Sequence, residues 1–192
     1  MTDNVLIMLS TEKKRYTYKD YQELPEGAPF QLINGELVMT PAPTPYHQLI
    51  SSRLEWELMK LKEKVGGEVL HAPIDVYLAE TETYQPDILF ISKDRFGIIG
   101  EQKIEGAPDL IVEILSPSTA YYDLKAKMRV YESSGVREYW LVDPMEQSVE
   151  IYENRERSFH LADKALLEPK SGKSTVSSKL FSQLNIDLGT IF

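Results

Sequence analysis

The chain has 192 residues, 42% of them hydrophobic and 27% charged, with a formal net charge of −9 and no cysteine. This composition predicts one α/β domain over residues 1–192, and no apolar run comes near the roughly 18 residues of a membrane span. The acidic balance argues against a general nucleic-acid-binding surface, and the lack of cysteine excludes disulfides and thiolate metal sites. We therefore expect a protein that binds no membrane and resides in a reducing compartment, the cytoplasm.

The first third of the chain predicts two helices around a hairpin. A short helix is expected in "TYKDYQELPEG", ending at Pro25, and Asn34-Gly35 predicts a tight hairpin turn within "FQLINGELVMTP". Thr44 and Pro45 are a suitable N-cap and first-turn pair for a second helix that runs to about Val65. Its apolar stripe, spaced by three and four residues, consists of Ile50, Leu54, Leu58, Leu61 and Val65.

The middle of the chain predicts a sheet interrupted by one more helix. Three strands are expected in succession, followed by a helix from about Ala120 to Ser133 and by a further buried strand that Pro144 ends. The four strand segments are "EVLHAPIDVYLA", "YQPDILFIS", "PDLIVEILS" and "REYWLVDP". After residue 145 the pattern predicts small peripheral strands, so we place the core at about 30–145 and a peripheral extension at 146–192.

Glu113 is the anomaly of the third strand, because it lies among Ile111, Val112 and Ile114. A buried carboxylate without a partner costs several kcal/mol or takes up a proton. Side chains alternate along a strand, so an antiparallel hairpin of the second and third strands would place Asp87 beside Glu113. Asp109, after Pro108, we interpret as a strand-start residue.

Helix phase supplies a cation. At 100° per residue, Lys127 lies beside the inward stripe of Ala120, Leu124, Met128 and Tyr131, whereas Lys125 and Arg129 turn toward solvent. Lys127 is therefore the lysine directed at Glu113. Two carboxylates suit a hard cation such as Mg²⁺ or Mn²⁺, and the lysine can stabilise the charge that develops on a phosphorane.

Each of these residues has a structural alternative. Asp87 could be only a turn acid, and Glu113 with Lys127 could form only a structural ion pair. His47 lies on the core-facing stripe near the start of the second helix, where a histidine is more often a hydrogen-bonded core residue than a ligand. The sequence contains no Walker loop, GxGxxG, HExxH, GxSxG or EF-hand pattern.

The segments "LINGELVMTPAPTPYHQLI" and "GAPDLIVEILSPSTAYYDLKAKMRVYESSGVREYWLVDP" resemble the Uma-two family, bacterial domains grouped with the PD-(D/E)XK restriction-endonuclease-like superfamily. The resemblance covers about residues 30–145. It implies an α/β (α+β mixed-sheet) fold with a restriction-endonuclease-like core of helix–strand–strand–strand–helix–strand, an N-terminal hairpin and C-terminal peripheral strands.

The resemblance also implies a site. Asp87 and Glu113 match the two metal-binding acids of the superfamily, whereas the lysine expected two residues after the glutamate is replaced by Leu115. Lys127 matches a lysine supplied from the following helix, and His47 matches, loosely, a histidine of the first family helix. The function implied is a Mg²⁺- or Mn²⁺-dependent endonuclease acting on DNA, as a homodimer. The alternative is a catalytically inactive nuclease fold that serves as an oligomeric binding or regulatory module.

Overall fold

A computed structural model describes residues 14–116, 121–168 and 174–192, with only the backbone of 121–124. Its main sheet has six strands: β3 (Glu68–His71), β6 (Ile88–Ile91), β8 (Leu110–Ile114), β9 (Glu138–Asp143), β10 (Ser148–Arg155) and β11 (Ser158–Leu166). Their order in the sheet is β11-β10-β9-β8-β6-β3, and all neighbours are antiparallel except β8 and β9. The parallel pair is joined by the helix α3, Tyr121–Ser134.

A second sheet of five short strands has the order β2-β1-β5-β4-β7. The hairpin predicted at Asn34-Gly35 is confirmed, because both residues have positive φ (50° and 72°), as a type I′ turn requires. The five strands are β1 (Phe30–Ile33), β2 (Glu36–Met39), β4 (Val76–Ala79), β5 (Glu82–Tyr84) and β7 (Ile104–Glu105). β12 (Thr175–Ser177) and β13 (Asn185–Asp187) form a separate pair.

The cap predicted for the second helix at Thr44 and Pro45 is confirmed, and the first helix has a cap that was not predicted. α1 is Tyr18–Gln22, and Thr17 closes a capping box with Asp20 at its start. α2 is Pro45–Val65, where the Thr44 side chain accepts a hydrogen bond from the backbone N–H of His47. Its predicted apolar stripe is buried, with Ile50, Leu54, Leu58 and Leu61 each at most 2% exposed. No helix in the described residues is long and apolar enough to cross a membrane.

Two of the predicted strands are divided between the sheets, and in this respect the prediction was wrong. The segment "EVLHAPIDVYLA" forms β3 in the main sheet and β4 in the second sheet. In "YQPDILFIS", Tyr84 is the last residue of β5 in the second sheet, and Ile88–Ile91 form β6 in the main sheet after a break. The breaks include Pro73 and Pro86, which lack the N–H that a strand interior needs. The connection between β6 and β8 also contains a 3₁₀ helix, Lys93–Ile98, and β7.

The C-terminal strands lie at one edge of the main sheet, as expected, but they are not small. β10 has eight residues and β11 has nine. Val149 and Ile151 of β10 are fully buried in the apolar cluster that includes α2, and Ile186 and Leu188 near the C-terminus join the same cluster. Burial of this apolar area brings Val149, Ile151, Ile186 and Leu188 into the core.

The main sheet is covered on both faces, which explains why β8 is apolar at nearly every position. Leu110, Val112 and Ile114 face the cluster that contains α2. Ile111 faces the opposite cluster, together with residues of α3 and of the second sheet. Glu113 shares the Ile111 face by strand alternation and is 6% exposed.

Asp109 has a larger role than a strand-start residue. Its side chain is fully buried, accepts a hydrogen bond from the backbone N–H of Ser92 at 2.8 Å and forms ion pairs with Arg95 and Arg137. It therefore ties the end of β6 and the start of β9 to β8.

Replacing Asp109 with alanine would leave the Ser92 N–H and two guanidinium groups without their acceptor. We expect Asp109→Ala to lower the free energy of unfolding by about 2–4 kcal/mol, measured by urea denaturation. Asp94→Ala removes an exposed acid of the 3₁₀ helix and should stay within about 0.5 kcal/mol of the parent chain. Equal losses in the two variants would contradict this role of Asp109.

Candidate active site

Asp87 directly precedes β6, and the antiparallel pairing of β6 with β8 brings it to the end of β8. Ile88 pairs with Val112, so Asp87 is at the level of Glu113. Its Oδ2 accepts a hydrogen bond from the backbone N–H of Ile114 at 2.7 Å. This contact holds the carboxylate against the strand that carries Glu113.

Glu113 and Lys127 form a buried ion pair. Lys127 Nζ lies 2.9 Å from Glu113 Oε1, and the residues are 7% and 6% exposed. Lys125 and Arg129 are exposed, as helix phase predicted. Ala120 lies outside the described residues, as does the side chain of Leu124.

Tyr131 is a site contact that sequence reasoning placed only on the apolar stripe. Its hydroxyl donates to the same oxygen, Glu113 Oε1, at 2.7 Å, and the residue is fully buried. Burial and the charge of Glu113 raise the pKa of Tyr131 well above its ordinary value, so the phenol remains a donor. The signal for this role was its spacing of four residues from Lys127, which places both side chains on one helix face.

Glu113 is left with one oxygen that receives no hydrogen bond from a described residue, Oε2, because Lys127 and Tyr131 both donate to Oε1. Burial raises the pKa of Glu113, the positive charge of Lys127 opposes this, and the nearby charge of Asp87 raises it again. The two carboxylates are thus close enough to repel each other. A cation between them would relieve that repulsion.

His47 closes the site from the α2 side. Its Nε2 lies 3.2 Å from the Ile114 carbonyl oxygen and 3.5 Å from Asp87 Oδ1, and the residue is 8% exposed. The hydrogen bond to Asp87 raises the pKa of His47, and burial opposes this. Its Nδ1 is buried and has no hydrogen-bond partner among the described residues. The four predicted residues therefore meet at the end of β8.

The donor set suits a small hard cation. Asp87 and Glu113 are two carboxylates, and the described residues contain no group of three His, Cys, Asp or Glu side chains able to enclose an ion. Mg²⁺ is commonly held by one or two carboxylates and keeps several waters, whereas Ca²⁺ and structural Zn²⁺ need larger protein donor sets. The residues present fit Mg²⁺ or the similar Mn²⁺.

Comparison with known proteins assigns the chain to a family. A family model named Uma2, described as "Putative restriction endonuclease", matches residues 18–188. The chain belongs to the Uma2 family. The match extends beyond the range of about 30–145 expected from the sequence, and it includes β10, β11 and most of the C-terminal segment that packs on the core.

Two individual proteins are similar to this Uma2 chain. An uncharacterized protein of Synechocystis sp., sll1609, is 27% identical over 155 residues, which are 77% of this chain and 85% of the relative. The crystal structure of a "putative nuclease belonging to DUF820" from Anabaena variabilis superposes with a TM-score of 0.74 at 22% identity, covering 92% of this chain and 97% of that one. The predicted α+β, restriction-endonuclease-like fold is confirmed.

The Tyr131 hydroxyl should contribute measurably to stability. Because Tyr131→Phe removes a donor to a buried carboxylate, we expect the free energy of unfolding to fall by about 1.5–3 kcal/mol in urea denaturation. Tyr139→Phe is the matched control, since Tyr139 is equally buried on the same side of the sheet and its hydroxyl has no hydrogen-bond partner among the described residues. That variant should differ from the parent chain by less than about 0.5 kcal/mol. A similar loss in both would remove the special role of Tyr131.

Proposed function

We propose that this chain is a metal-dependent nuclease that hydrolyses phosphodiester bonds, with Asp87, Glu113, Lys127 and His47 as its active site. The observation that supports this most is the asymmetric environment of Glu113. Oε1 accepts hydrogen bonds from Lys127 and Tyr131, whereas no described residue donates to Oε2, and the charge of Asp87 acts on the same carboxylate. A purely structural ion pair would have no need of a second carboxylate that destabilises it.

Asp87 and Glu113 would hold the ion, Mg²⁺ or Mn²⁺, between their carboxylates. Bound there, the ion would supply an activated water and neutralise charge on the phosphoryl oxygens. Asp87 is prepared for this role because Ile114 fixes its Oδ2 at 2.7 Å. Glu113 is prepared because Lys127 and Tyr131 both donate to Oε1, and no described residue donates to Oε2.

Lys127 would orient the attacking water or stabilise the charge that develops on the phosphorane. Tyr131 donates to the same oxygen, so Glu113 has a second hydrogen-bond donor besides the ammonium group of Lys127. His47 would assist by holding Asp87 and the Ile114 carbonyl in place. In this mechanism water attacks in line with the bond to the leaving oxygen.

DNA is the proposed substrate, as the family description suggests. A homodimer is the proposed assembly, by analogy with the superfamily that the sequence resembles. The net charge of −9 does not favour nucleic acid over the whole surface. At the site itself, the positive charge available to a phosphate would be that of Lys127 and of the proposed metal ion. The second candidate, an inactive binding module, is favoured by the same acidic balance and by the closed Glu113–Lys127 pair.

Metal binding and cleavage test the proposal together. We expect Mg²⁺ or Mn²⁺ to raise the melting temperature of the parent chain by linkage, and Glu113→Gln to abolish the shift. We also expect Glu113→Gln and Asp87→Asn to cut plasmid and single-stranded DNA at least about 100-fold more slowly. Asp94→Asn, an exposed control, should retain both properties. Unchanged cleavage in Asp87→Asn would exclude the site, and no metal shift with no cleavage would favour the binding module.

A double substitution separates catalysis from charge pairing. Lys127→Met leaves Glu113 buried without its cation, so we expect the free energy of unfolding to fall by about 3 kcal/mol or more. Adding Glu113→Gln should restore much of that loss, because no buried charge remains to be compensated. The double variant should fold but not cleave DNA. If it cleaves at the parental rate, the pair is only structural.

A further inference from the structure

A cavity of about 340 Å³ lies between α3 and the β9–β11 part of the main sheet. Its apolar walls come from distant parts of the chain: Leu115 after β8, Met128 of α3, Leu141 of β9 and Leu166 of β11. Polar and charged side chains complete the lining, among them Lys125 and Lys164. Tyr139 also lines it and adds an aromatic ring. The volume lies within the range of about 300–1,000 Å³ found for small-molecule sites.

The cavity adjoins the candidate active site. Leu115 is two residues beyond Glu113, a distance of about 7 Å along extended chain. Met128 directly follows Lys127 on α3. A nucleotide whose phosphate lies beside Lys127 could therefore place its own base, or that of a neighbouring nucleotide, between these walls.

The rim of the cavity offers hydrogen-bond acceptors. Asp143 Oδ1 receives the backbone N–H groups of Met145 and Glu146, but no described residue donates to its Oδ2. The exposed Glu146 carboxylate also receives no side-chain hydrogen bond from a described residue. Glu150, by contrast, already accepts from Tyr152 and Lys164. Free carboxylate oxygens repel phosphate and accept hydrogen bonds from amino groups.

Tyr139 forms part of the inner wall of the cavity. The residue is 1% exposed, and its hydroxyl is buried without a hydrogen-bond partner among the described residues. An occupant of the cavity would therefore meet an aromatic wall at Tyr139, and polar recognition falls to the carboxylates at the rim.

We propose that this cavity binds one unpaired nucleobase with an exocyclic amino group, that is cytosine, adenine or guanine. The inference rests on the proposed nuclease function and adds a substrate class to it. Apolar walls match the faces of a base, and Asp143 and Glu146 match its amino edge, as acidic side chains accept from cytosine N4. A base inside a duplex cannot enter, so the substrate is single-stranded or has an extruded base.

Binding can be measured without turnover. Short fluorescein-labelled single-stranded oligonucleotides with one central C, A, G, T or abasic position are titrated in EDTA and followed by fluorescence anisotropy. We expect the C, A or G oligonucleotides to bind about tenfold or more tightly than the T and abasic ones. Equal dissociation constants for all five would overturn the inference.

Variants locate the base. Leu166→Trp fills the cavity from the edge strand β11 and should remove the preference, whereas Leu161→Trp, a 56% exposed position on the same strand outside the cavity, should keep it. Glu146→Ala should reduce the preference for amino-bearing bases, and Glu101→Ala, an exposed acid elsewhere, should not. A preference that survives Leu166→Trp would place the base outside the cavity and overturn the inference.

The outcomes distinguish the base-binding cavity from the proposed nuclease function. Mg²⁺-dependent cleavage without any base preference would leave the nuclease function standing and reject the cavity as a base site. A base preference that Leu166→Trp removes, without cleavage by any divalent metal, would support the cavity and reject the nuclease function.

Discussion

The burial of Glu113 in the central strand of the sheet is the constraint on which the site depends. A carboxylate 6% exposed between two apolar layers would cost several kcal/mol if it stood alone. Lys127 and Tyr131 compensate this cost, and both come from α3. Their contacts fix the rotation of α3 about its axis, because only one helix face can carry both donors to the same oxygen. The helix that connects β8 to β9 is thus oriented by a polar requirement as well as by apolar packing.

The end of β8 shows how closely scaffold and site are joined. The backbone N–H of Ile114 donates to Asp87, and its carbonyl oxygen lies within hydrogen-bond distance of His47 Nε2. Buried backbone groups need partners, and here the partners are side chains of the candidate site in place of a neighbouring strand. Asp87 and His47 are therefore held in position by the main chain next to Glu113. Replacing either would disturb the strand end as well as the chemistry.

Local periodicity was sufficient to predict much of this arrangement. Strand alternation placed Asp87 beside Glu113, and helix phase selected Lys127 over Lys125, because both depend only on spacing along one element. Tyr131 was on the predicted inward face, but its hydrogen bond to Glu113 depends on how deeply α3 packs. The two arginines that pair with Asp109 come from outside the strand that Asp109 precedes. Such contacts depend on tertiary structure and leave no local pattern.

The division of "EVLHAPIDVYLA" and "YQPDILFIS" between two sheets was missed for a related reason. Apolar alternation continues through each segment, and only Pro73 and Pro86 mark the breaks. Proline indicates that a ladder is interrupted, but it does not tell which sheet the chain joins next. The sheet that each piece joins depends on its pairing partners: β5 pairs with β1 and β4 in the second sheet.

The position of the lysine bears both on the Glu113 carboxylate and on the neighbouring cavity that Leu115 lines. The resemblance leads one to expect a lysine two residues after Glu113, yet the chain has Leu115 there and supplies Lys127 from α3. A lysine at position 115 would direct a charge into the cavity that Leu115 now lines. Moving the cation to the helix keeps it on Glu113 and leaves an apolar wall about 7 Å farther along the chain. The chain thus combines a lysine that reaches Glu113 from the helix with a leucine in the cavity wall two residues after that carboxylate.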